Sequence, residues 1–162
     1  MRTRADRRRL RFERIDDVLA ELDRLAAADA AGTLTTSGRW TLGQSLNHLA
    51  TWVDYCYDGV PMRTPWPARL IMRALKRPIL TRPMRPGSRL PGVAGGTLAT
   101  DVVPTVAALD HARRSYGRLR DAPPDRPHLA FGPMTAAEWT ALHCRHAELH
   151  LSFFRFVPGP GA

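Results

Sequence analysis

The chain has 162 residues and a net charge of +9, and 44% of its residues are hydrophobic. That length suits one domain with a real core, and no apolar run approaches the roughly 18 residues a membrane span needs. The arginine-rich start has no apolar stretch behind it, which argues against a secretory signal and makes the cytoplasm the expected compartment, with Cys56 and Cys144 reduced rather than bridged.

Nearly all of the positive charge is arginine, Lys76 being the one lysine. Such a balance favours an anionic partner, whether nucleic acid, a membrane surface or an acidic small molecule. Residues 1–14 hold Arg2, Arg4, Arg7, Arg8, Arg9, Arg11 and Arg14 and read as a solvated, partly disordered basic arm. The arm lacks the interleaved aromatic residues that base stacking requires, which makes nucleic acid a weak candidate.

A first helix is expected from Ile15 to Ala28, where Ile15, Val18, Leu19, Leu22 and Leu25 recur at helical spacing. Residues 30–38 read as a loop on composition. Thr41 and Gln44 then form a capping box for a second helix. Its apolar stripe is Leu42, Leu46, Leu49, Val53 and Cys56, with His48 at the edge, and Asp58-Gly59 stops it.

From Val60 to Thr100 proline and glycine are frequent. A short helix is expected from Pro67 to Lys76, with Leu70, Ile71, Ala74 and Leu75 on one side and Arg69, Arg73 and Lys76 on the other. A membrane-surface helix has this pattern too, but packing of the apolar side on the domain is the expectation. Residues 82–96 read as an irregular loop, and so long a connection suggests function. Pro104 opens a third main helix that runs to Ala122. His111 and His128 read as isolated surface or helix-end histidines.

The last helix is the best signalled. Thr135 and Glu138 make a second capping box, with Met134 and Trp139 placed as a hydrophobic staple. The helix is expected to reach Phe156, ahead of Pro158-Gly-Pro. No alternation is long enough for a sheet. The expected fold is therefore all-α: an antiparallel four-helix bundle spanning residues 15–157, with a basic arm at 1–14 and a tail at 158–162.

Three of the chain's six histidines, His143, His146 and His150, lie in this last helix at spacings of three and four. Those spacings put them on one side, in a stripe with Trp139 and Phe153. Buried imidazoles need partners. Two histidines four apart on a helix can reach one ion, as His146 and His150 could. His48 is the best third ligand, being the other histidine on a helix with an apolar stripe. Three histidines with an open fourth position describe a catalytic zinc-type site. The HExxH pattern is absent, so the general base of a metalloprotease is missing.

The run Trp40-Thr-Leu-Gly-Gln-Ser-Leu-Asn-His48-Leu-Ala50 resembles the second-helix motif of the DinB-like family, and His146-Ala-Glu-Leu-His150 resembles that family's late HxxxH. Arg9-Leu-Arg-Phe12, Pro86-Gly87, Phe131-Gly132, Glu138-Trp139 and the run from His146 to Phe154 are similar to an uncharacterised branch of it. The resemblance implies an up-down-down-up bundle with a metal held by His48, His146 and His150. His143 is then an orienting neighbour or an alternative ligand. Characterised relatives include metal-dependent S-transferases and isomerases that use low-molecular-weight thiols such as bacillithiol or mycothiol, and homodimers are common.

The expectation is a divalent metal, zinc or nickel, a thiol cofactor and a small-molecule electrophile. Arg82, Arg85 and Arg89 are the candidate contacts for anionic substrate groups. No residue stands out as a general base. Two alternatives stay open: a basic helical module for nucleic acid or an acidic partner, and a relative that binds metal but has lost activity.

Overall fold

The computed structural model describes residues 7–62, 64–87, 89–90 and 93–158. Among the described residues the order is α1 (Ile15–Ala30), β1 (Leu34–Thr36), α2 (Leu42–Asp58), α3 (Trp66–Ala74), α4 (Lys76–Thr81), α5 (Thr105–Asp121), α6 (Ala136–Leu151) and β2 (Phe154–Phe156). The four long helices share one core. Val18, Leu22 and Leu25 of α1 meet Leu46, Leu49 and Val53 of α2, Tyr116 and Leu119 of α5, and Trp139 and Leu151 of α6. Each large apolar side chain so buried is worth about 1.5–3 kcal/mol against exposure.

The helix starts follow their signals. Asp17 accepts from the backbone N–H of Arg14 (2.9 Å) and of Glu13 (3.0 Å), satisfying donors ahead of α1. At α6 the capping box is complete: Thr135 Oγ1 accepts from Glu138 N (3.2 Å), and Glu138 Oε2 accepts from Thr135 N (2.9 Å). At α2 only half forms. Thr41 Oγ1 accepts from Gln44 N (3.1 Å), but Gln44 Nε2 donates to the Thr100 carbonyl (2.7 Å).

α2 packs most closely on α5. The face of α5 is lined by small residues, Ala108, Ala112 and Ser115, all buried. Gly43 is where the chain before α5 comes nearest: a Cβ there would stand 2.0 Å from the Val103 carbonyl oxygen. His111 of α5 is not an isolated surface residue. Its Nε2 donates to Asp54 Oδ2 (2.7 Å), and its Nδ1 lies 3.0 Å from Asn47 Oδ1, both on α2.

Beyond His111, the structure corrects four expectations. α6 ends at Leu151, and the residues beyond it form β2, antiparallel to β1 with Leu34 opposite Phe156 and Thr36 opposite Phe154. The purely α reading therefore gives way to a mostly helical fold with a small two-stranded sheet. Phe and Thr side chains suit a half-buried pleated surface, and Phe154 is buried there.

Second, the arginine-rich segment is in part packed from Arg7 onward: Arg7 and Arg8 are half-buried, while Arg9, Arg11 and Arg14 are exposed as expected of a solvated arm. Arg8 Nη2 pairs with Glu21 (2.5 Å) and Arg8 Nε donates to the Phe154 carbonyl (2.5 Å). Phe12 is buried; its N–H donates to Glu148 Oε1 (2.6 Å) and its carbonyl accepts from Arg145. Residues 1–6 lie outside the described residues.

Third, the Pro67–Lys76 helix, as α3, has no buried residue, and its apolar side faces outward. Fourth, His128 closes a turn: its Nδ1 accepts from the N–H of Ala130 and of Phe131, each at 3.1 Å.

Candidate metal centre

α2 supplies His48 and the second half of α6 supplies His146 and His150. The four-residue spacing on α6 sets the latter two one turn apart on one side. One ring nitrogen from each of the three lies within 4.8 Å of the others. His48 Nε2 stands 3.3 Å from His146 Nε2. The ring centroids are 4.5 Å apart for His48 and His150 and 4.8 Å for His146 and His150.

His48 is fixed by the chain that returns before α5. Its Nδ1 lies 3.0 Å from the Leu98 carbonyl and 3.3 Å from that of Ala99. A carbonyl can only accept, so Nδ1 carries the proton and Nε2 keeps its lone pair. Ala99 has φ of 55°, a left-handed conformation uncommon for a residue with a Cβ. Gln44 pins the neighbouring Thr100, so one helix both presents His48 and holds the backbone that orients it.

Aromatic rings wall the three imidazoles. Trp40 stacks on His150 (5.3 Å, 15° between planes) and meets His48 edge-on at 4.9 Å. Trp52 is edge-on to His146 at 6.1 Å, and its buried Nε1 has no hydrogen-bond partner among the described residues.

Burial governs the protonation of all three. It pulls His48 down to about 4, against the opposing pull of the Leu98 and Ala99 carbonyls. It pulls His150 to about 3, with His48 and Arg7 adding to the effect. His146 falls well below the ordinary imidazole range, through burial first and then the neighbouring His150, His48 and His143. At neutral pH the three are uncharged, the form that binds a metal.

The closest pair stands at the spacing of two ligands on one ion. Two nitrogens each about 2.0–2.1 Å from a tetrahedral zinc stand about 3.3–3.4 Å apart, the separation of His48 Nε2 and His146 Nε2. His48, His146 and His150 are thus a group that could hold a metal ion.

His143 stands outside that group. Its Nε2 lies 3.3 Å from Cys56 Sγ, and its ring is parallel to Trp139 (6.2 Å, 19°) and edge-on to Tyr116 (6.3 Å). Burial pushes the Cys56 thiol up to about 12, with Asp54 adding to it, and pushes Cys144 to about 12, with Glu148 adding to it. Both cysteines are free, and both thiols keep their protons at neutral pH. Arg82, Arg85 and Arg89 lie exposed on the connection after α4, with Arg89 alongside Gly96.

The Leu98 and Ala99 carbonyls were not legible in the sequence, because any residue carries such a group. The only hint was the length of the connection that bears them.

Residues 4–156 match the model of a family described as "Protein of unknown function (DUF1569)". No curated protein and no solved structure matches this chain.

Proposed function

We propose that this chain, which belongs to the DUF1569 family over residues 4–156, is a metal-dependent small-molecule enzyme whose ligands are His48, His146 and His150. The observation that carries the reading is the meeting of three uncharged imidazoles from two helices within 4.8 Å. The ion is divalent, zinc or nickel, and the four long helices run up-down-down-up around it.

When bound, such an ion supplies a Lewis acid with an open position, able to lower the pKa of a thiol or water that enters it. The reaction proposed is thiol S-transfer with a low-molecular-weight thiol. The thiol releases its proton to solvent, its sulfur bonds to an electrophilic carbon, and the bond from that carbon to its leaving group breaks, the leaving group departing with the electron pair. The Leu98 and Ala99 carbonyls hold His48 with Nε2 facing His146. Trp40 and Trp52 pack against the histidines and cover part of them from water, which strengthens electrostatic interactions within the site. Neither cysteine serves as nucleophile, since both thiols keep their protons. Arg82, Arg85 and Arg89 receive an anionic group of the substrate.

The test is thiol consumption with a panel of electrophiles, before and after chelator treatment. The reading expects turnover that chelation removes, that added zinc or nickel restores, and that falls at least ~100-fold in His150→Ala. Bound metal without turnover would identify a relative that has lost activity. A metal-free protein whose affinity for nucleic acid falls steeply with salt would favour a basic binding module.

A further inference from the structure

α3 leaves most of its apolar surface in water, which is unusual for a helix of a globular domain. An amphipathic helix ordinarily turns its apolar stripe to the core and its charges to water. Here Trp66 is 72% exposed, Leu70 63%, Ile71 59% and Leu75 45%. The least exposed positions of α3 are Ala68 and Met72, and polar contacts flank them. Lys76 Nζ pairs with Glu138 (2.7 Å) and donates to the Pro133 carbonyl (2.9 Å), and the Arg73 guanidinium lies against Gly132. These contacts, one from α3 and the others from the first residue of α4, tie this stretch to the start of α6 with Trp66, Leu70 and Ile71 outward. Arg69 and Arg77 border that side and are exposed.

The geometry points to an anionic lipid surface as the partner of this face. A tryptophan with aliphatic neighbours, rimmed by arginines, is the composition that settles at a headgroup boundary, the ring and the alkyl groups in the acyl edge and the guanidinium groups among phosphates. The charge of the whole chain, +9, draws it to such a surface. The same charge opposes a second copy, which would set one arginine border against another. Size opposes a protein partner as well: α3 has nine residues, whereas a stable protein interface buries about 800 Å² on each side. No described helix is long and apolar enough to cross a membrane, so the contact is one of surface docking.

Co-sedimentation of the full chain with vesicles tests this, using phosphatidylcholine alone and phosphatidylcholine with phosphatidylglycerol. Binding is expected only with phosphatidylglycerol and is expected to weaken as salt rises. Leu70→Asp/Ile71→Asp should weaken it at least ~10-fold with an unchanged melting curve, since both side chains face water in the free protein. As a second measurement, vesicles with brominated acyl chains should quench the emission of the wild type more than that of Trp66→Phe. Absence of vesicle binding, binding unchanged in the double variant, or equal quenching in the two proteins would overturn the proposal. So would a wild-type dimer that the double variant splits, which would give this face to a second copy.

Discussion

At the scale of single residues, the centre depends on which nitrogen of each histidine is committed. His48 spends Nδ1 on two carbonyls and has Nε2 left to offer. The same burial that keeps the imidazoles neutral ties stability to pH. Burial holds His48 and His128 at about 4 and His143 and His150 at about 3, against an ordinary value of 6.5. Above that ordinary value neither the folded nor the unfolded chain is protonated at these rings, so they leave stability unchanged. As pH falls below about 6.5, the unfolded chain takes up protons that the folded chain refuses until about pH 4 to 3. Urea unfolding of the metal-free protein should therefore show lower stability at about pH 5 than at about pH 7, by on the order of 1 kcal/mol or more for each such histidine. A midpoint unchanged between the two would contradict the burial assigned to these rings.

A second residue-scale prediction concerns the pair on the far side of α6. Arg145 and Glu148 stand 2.8 Å apart with side chains only 2% and 5% exposed. Arg145→Met strands a buried carboxylate and should cost about 3–5 kcal/mol in chemical denaturation. Replacing both, in Arg145→Met/Glu148→Met, should recover much of that loss. A double variant as unstable as the single one would show that Phe12, which both side chains hold, matters more than the charge pair.

At the scale of elements, Gly43 limits how α2 approaches the chain before α5. Gly43→Ala improves helix propensity by about 1 kcal/mol but drives a Cβ onto the Val103 carbonyl. The clash is with backbone, which cannot swing aside as a side chain can. A net destabilisation of about 1–3 kcal/mol is expected in thermal or urea unfolding, and a more stable variant would contradict the close approach. The four long helices were legible in the sequence because each has a 3.6-residue stripe and three have a recognisable start. The end of α6 was not. Phe153 and Phe154 keep the apolar pattern past Leu151, and what turns the chain is the distant strand β1, with Ser37 N donating to the Phe153 carbonyl (2.9 Å). Three-residue strands leave too little alternation to read. The outward turn of α3 was hidden for a similar reason: periodicity reveals an apolar face but not the surroundings it meets.

At the scale of the whole molecule, the two ends of the described chain close on each other. Arg8 N donates to the Ser152 carbonyl (2.9 Å), Arg7 Nε donates to Ser152 Oγ (2.9 Å), and β2 lies on β1 just before α2 begins. Ser152 follows directly on the helix that carries His146 and His150, so these contacts brace that helix end. Spacing alone could bring His146 and His150 together. The convergence of His48 on them depends on how α2 and α6 pack in three dimensions, and its identification from sequence rested on the resemblance as well as on the stripe.

The central claim is that these three imidazoles share one ion. Metal-edge X-ray absorption on protein purified without added metal tests it most directly. The account predicts about one ion per chain with imidazole nitrogens at about 2.0–2.1 Å, lost in a folded His48→Ala variant and kept in His143→Ala. A protein that carries no metal, or whose edge spectrum is the same after His48 is removed, would contradict it.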